Sequence, residues 1–103
     1  LKKYVRTANY GPYKYRYEIR TISPYTGKSV LRGASRSLIN ANEICIRQAD
    51  AIFDNLVFDG PENTFKFLDN LYIYDAVDKK EVEMDLDTEA YIDELMSECD
   101  SRM

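Results

Sequence analysis

Six basic side chains have the types and spacing to meet a partner: Lys14, Arg16, Arg20, Lys28, Arg32 and Arg36. Lys14, Arg16 and Arg20 alternate with Tyr13, Tyr15, Tyr17 and Ile19. That two-residue period sets the cations on one strand face and aromatic and β-branched residues on the other. Lys28 falls in the turn that follows, and Arg32 and Arg36 on a return strand. A two-stranded ribbon of this kind fits the DNA major groove, where Arg and Lys neutralise phosphates. Residues 1–36 hold nine basic residues against one acid, Glu18, a net of +8; residues 37–103 hold five against seventeen, a net of -12. The whole chain, at -4, conceals this split, which bears on partners more than on fold.

A second set is acidic: Glu81, Glu83, Asp85, Asp87 and Glu89. Carboxylates spaced along a surface serve as a protein-binding site. In the extreme they imitate a phosphate backbone and occupy the groove of a nucleic-acid-binding partner, as small phage-encoded nuclease inhibitors do as a type. The same run superficially matches a calcium loop. Counted from Asp85, however, the sixth position is Ala90 where Gly is needed and the twelfth is Met96 where Glu is needed.

Catalysis has little to work with. The chain has no His, so a Ser-His-Asp or Cys-His pair and a His metal ligand are all excluded. A tyrosine nucleophile would lack its usual His, and Gly27-Lys28-Ser29 lacks the upstream Gly of a phosphate loop. Cys45 and Cys99 are too few for a four-thiolate zinc site. Both lie among apolar neighbours at helical spacing, which reads as buried free thiols in a reducing compartment. The expectation is a non-enzymatic protein without cofactor or metal. Tyr13, Tyr15 and Tyr17 read as core; Tyr4, Tyr10 and Tyr25 read as exposed.

The elements that must position these residues follow from pattern. Tyr13 to Ile22 is a strand, Ser23-Pro24-Tyr25-Thr26-Gly27-Lys28 a hairpin turn, and Ser29 to Arg36 its partner, with Gly33 marking a bulge or a close approach. Lys3 to Ala8 allows an earlier strand. A helix is expected from Ala41 to Phe58, opened by an Asn40/Glu43 capping box, with Ala41, Cys45, Ala49, Ile52 and Leu56 as its apolar stripe. Asp59-Gly60-Pro61 should end it. Residues 61–70 fit a short helix or turn, which is favoured, or a strand with Phe65 and Phe67 inward. Leu71 to Tyr74 and Glu81 to Met84 form a second hairpin. Asp87 caps a last helix, Thr88 to Cys99.

The order is ββα-ββα: an α+β fold with a largely antiparallel sheet and helices on one face. With 103 residues it reads as one small domain, basic over 1–58 and acidic over 59–103. No apolar run reaches the roughly 18 residues of a membrane span, and no secretory leader opens the chain, so a cytoplasmic protein is expected.

Between Tyr13 and Leu56 the aromatic strand, the turn SPYTGKS, the basic return VLRGASRS and the helix NANEICIRQADAIFDNL resemble the arm-type DNA-binding module of phage and transposon integrases. The resemblance covers under half the chain and carries no diagnostic motif. It implies a small sheet entering the major groove, with Lys14, Arg16, Arg20 and Arg32 facing it. The expected function is a binding protein, phage- or mobile-element-encoded, that contacts nucleic acid through the basic hairpin. The alternative is a protein-binding inhibitor or adaptor acting through the acidic half. A homodimer pairing basic sheet with acidic half would also satisfy the charges.

Overall fold

The computed structural model describes residues 15–103. The expected strand Lys3 to Ala8, Tyr13 and the candidate Lys14 lie outside the described residues. Four strands form one antiparallel sheet: β1 (Tyr17–Ile22), β2 (Ser29–Ser35), β3 (Tyr72–Asp75) and β4 (Lys80–Val82), in the order β2-β1-β3-β4. Three helices accompany it: α1 (Leu38–Asp54), α2 (Leu56–Asp69) and α3 (Leu86–Ser101). The fold is α+β, and the short helix favoured for residues 61–70 is present within α2.

Alternation decides which sheet face is covered. Ile19 and Thr21 of β1 and Ile73 of β3 point inward and are fully buried. They meet Ala41, Cys45, Ala49 and Ile52, the expected stripe of α1. α1 packs on β1, β2 and β3, α2 on β1, and α3 on α1 and α2 alone. The opposite face, with Glu18, Arg20, Tyr72, Tyr74 and Glu81, has no helix over it among the described residues.

Side chains fasten the layers. The Thr21 hydroxyl donates to the Phe67 carbonyl of α2 at 2.6 Å. Asn42, buried in α1, accepts from the Asp85 N–H at 2.9 Å and so ties the start of α3 to α1. The Tyr91 hydroxyl of α3 donates to Asp50 of α1. Gly33 sits under α1, where a Cβ would lie 2.8 Å from Ile44 Cγ2. The register shifts between Ile19 and Arg20, so Arg32 is the extra residue of a bulge in β2.

Several boundaries move. α1 starts at Leu38 because Ser37, with extended backbone, accepts the Asn40 N–H at 3.1 Å; the Asn40/Glu43 box does not form, and Asn40 instead donates to Ser35. α1 ends at Asp54, where the Asn55 side chain donates to the Ala51 carbonyl. Asp59-Gly60-Pro61 does break the helix, as expected: Gly60, at φ 81° and ψ 159°, is non-helical and separates a short turn from Leu56 to Asp59 from the helix that runs on from Pro61. Pro61 disfavours helical geometry at the residue before it, and the positive φ costs glycine little. Residues 61–69 are helical. α3 is capped by Asp85, not Asp87: the Asp85 carboxylate accepts the Thr88 N–H at 2.8 Å. Tyr17 is half-buried against the core, but Tyr15 is 41% exposed.

Candidate interaction surface

The hairpin does not gather its cations on one face. Arg16 turns to the β3–β4 turn, where its guanidinium donates to Asp75 at 2.8–3.2 Å and to Asp78 at 3.2 Å. Asp75 is 3% exposed and also accepts the Val77 and Asp78 N–H groups, so it closes the turn as it holds Arg16. The guanidinium hydrogen-bonded to it, together with those N–H donors, holds the Asp75 carboxyl well down, at about 2. Arg20 does stand on the uncovered sheet face, bonded to Glu18 at 2.7 Å and to Ser29 at 3.3 Å. The bulge aims Arg32 at the helix layer, where it donates to Gln48 of α1 at 2.9 Å. Lys28 and Arg36 are exposed at opposite ends of β2. Eight residues of strand separate them by about 26 Å.

The acidic set, in contrast, is exposed throughout. Glu81 projects from β4 beside Tyr74 on the uncovered sheet face. Glu83 is exposed in the connection, Asp85 caps α3, and Asp87 and Glu89 are exposed in its first turn. α3 then carries Asp93, Glu94, Glu98 and Asp100 toward solvent, so six carboxylates and no Lys or Arg lie on the helix from Leu86 to Ser101. Arg102, just beyond, pairs with Glu98 at 3.3 Å. Over residues 15–103 ten basic residues face eighteen acids, a net of -8.

The chain matches no protein-family model, no curated protein and no solved structure.

The titratable groups that depart from ordinary behaviour have structural partners. Asp75 is lowered by Arg16 and Asp85 by Thr88. Tyr25 is raised by its hydrogen bond to Asp59, and Tyr91 by its bond to Asp50. Burial pushes the Cys45 thiol up to about 12 and raises Cys99 as well; both are buried free thiols. Among the described residues, no three Cys, Asp or Glu side chains come together as a metal site.

Sequence reasoning did not single out Asp69 and Asp93, which line one depression with Glu89, or Asp100, which lines the next with Asp93. The signal was available: Glu89, Asp93, Met96 and Asp100 recur at steps of four, three and four, one flank of a helix. Asp69 carried no such signal, because it reaches this surface only through the packing of α2 against α3.

Proposed function

We propose that this is a non-enzymatic binding protein whose acidic surface captures a basic protein partner. The observation that carries the reading is the cation-free acidic run: Glu81, Glu83 and Asp85 lead into six exposed carboxylates on α3. Like charges gathered on one surface repel each other. Bringing a cationic partner to them relieves that repulsion and steers the approach.

A second reading, nucleic-acid contact through the hairpin, draws on two features. Lys28 and Arg36 are exposed, and residues 1–36 sum to +8. The integrase-arm resemblance belongs with it. One experiment separates the two. Binding to poly-L-lysine and to duplex DNA is measured at low and moderate salt. The acidic-surface reading expects salt-sensitive binding to poly-L-lysine, weakened about tenfold or more when Glu81, Glu83, Asp87 and Glu89 are changed to Gln or Asn. Asp85 is left intact because it caps α3. Retardation of DNA at low salt, lost in Lys28→Glu/Arg36→Glu and accompanied by no capture of poly-L-lysine, would overturn it.

A further inference from the structure

Three depressions run into one another around the acidic end of the molecule. The first, about 310 Å³, lies along the α2–α3 seam, with Phe65 and Met96 as floor and Asp93 and Asp100 at its rim. Asp93 and Met96 also line the second, about 140 Å³, where Met84 joins the floor and Asp69 and Glu89 join the rim. Asp69 lines the third as well, about 480 Å³, on the uncovered sheet face beside Tyr72, Tyr74 and Glu81. The shared residues place the three side by side as one groove surface; Tyr72 and Tyr74 also line a further depression, where Arg20 is held by Glu18.

Its chemistry is mixed in a particular way. The floor is apolar and aromatic, and no Lys or Arg lines any of the three parts. Five carboxylates rim it, Asp69, Glu81, Glu89, Asp93 and Asp100, and none makes an ion pair among the described residues. Nucleic acid and anionic lipid are both repelled by such a rim. A second copy has a net charge of -4 and is repelled as a whole. A purely hydrophilic cation satisfies the rim but leaves the floor wet.

We propose that this groove seats a basic amphipathic segment of the protein partner. Its Lys and Arg side chains meet the five carboxylates, and its apolar side chains cover Phe65, Met84, Met96 and the tyrosines. The proposal rests on the acidic-surface reading and gives it a location and a ligand chemistry. Each feature of the groove suits this occupant. Methionine is unbranched and adapts its shape to different apolar partners. The Tyr72 and Tyr74 faces attract cations. A segment laid into a groove with alternating anchors is a recurrent mode of peptide recognition.

Calorimetric titration with two synthetic peptides of equal length and charge tests it: an amphipathic Lys–Leu peptide and a Lys–Ser peptide. The Lys–Leu peptide is expected to bind about tenfold or more tighter. Met84→Gln and Met96→Gln should weaken it about fivefold or more and leave the Lys–Ser peptide unchanged, whereas Glu89→Gln/Asp93→Asn should weaken both. Because a methionine variant can lose stability, the wild-type protein is also mapped by NMR. Shifts on adding the Lys–Leu peptide should centre on Phe65, Tyr72, Met84 and Met96. Equal affinity for the two peptides, or shifts confined to Glu94 and Glu98 on the outer side of α3, would remove the groove and leave the acidic-surface reading standing. Binding of neither peptide at low salt would remove both.

Discussion

Replacing Gly33 with alanine isolates one contact that the fold depends on. Gly33 lies beside the β2 bulge and beneath α1, and its φ is not in the left-handed region, so alanine can take the backbone as it stands. Space is the obstacle. The new Cβ would sit 2.8 Å from Ile44 Cγ2, against an ordinary carbon–carbon separation of about 3.5–4.0 Å. Ile44 is β-branched and helical, so its χ1 is nearly fixed and the methyl cannot swing away. Either α1 lifts from the sheet or the side chain leaves its rotamer, and overpacking of this kind costs about 1–3 kcal/mol. Restricting the unfolded chain returns about 0.4–1 kcal/mol. The net loss is therefore about 1–2 kcal/mol, or about 5–15 °C in Tm for a domain of this size. Urea unfolding followed by far-UV circular dichroism measures it. The reasoning is examined by the double variant. Without the Ile44 methyl, in an Ile44→Ala background, Gly33→Ala should be neutral or stabilising by about 0.5 kcal/mol. That implies a coupling near 2 kcal/mol, where independent sites add to within about 0.5 kcal/mol. If the two single losses simply add, the close approach of β2 to α1 is not what requires glycine.

Two further outcomes follow from the titratable groups. The Asp75 carboxyl, lowered from 3.8 to about 2, binds its proton less readily in the folded protein than in the unfolded chain. Its contribution to stability is thus complete above about pH 4 and disappears as pH falls through 2. Arg16→Met should raise the Asp75 pKa in a carboxyl-detected NMR titration, and an unchanged value would show that the guanidinium is not the cause. The Cys45 thiol, buried and pushed up to about 12, should resist iodoacetamide at pH 8 in the native protein and react in urea. Native alkylation at the rate of a free thiol would contradict its placement under the sheet.

Local patterns were legible where one physical rule governed the outcome. The alternation of β1, the helical stripe of α1 and the bulge beside Gly33 each follow from spacing alone, and each is present. The helix caps were displaced by two or three residues. Ser37 and Asp85 compete with equally plausible neighbours, and only the chain's entry angle decides between them. The break at Gly60-Pro61 was legible from its residue types, whereas the earlier end of α1 at Asp54 was not, because Asn55 carries no comparable signal. The candidate surfaces show the same division. The acidic residues from Glu81 to Glu89 lie close in sequence, and each is exposed. The cations of the hairpin depend on what each meets across the sheet, which single-strand spacing does not contain.

That dependence explains why the described cations of the hairpin do not gather on one face. Arg16 is taken up by a nearly buried aspartate from a strand 59 residues away, Arg32 is turned by a bulge toward Gln48, and Arg20 is bound to its own strand neighbour Glu18. Three of the five described cations of residues 15–36 therefore stabilise local geometry. A guanidinium held by a buried carboxylate must give up that partner before it can meet a phosphate, and the loss offsets much of the gain. The α3 carboxylates bear no such obligation. Of the six, Glu98 alone is in an ion pair among the described residues, and that pair is exposed and weak. Charge left uncompensated at the surface, and not charge counted along the sequence, is what a partner meets. Among the described residues of α3 that charge is negative, and the proposed groove sets Met84 and Met96 beside it.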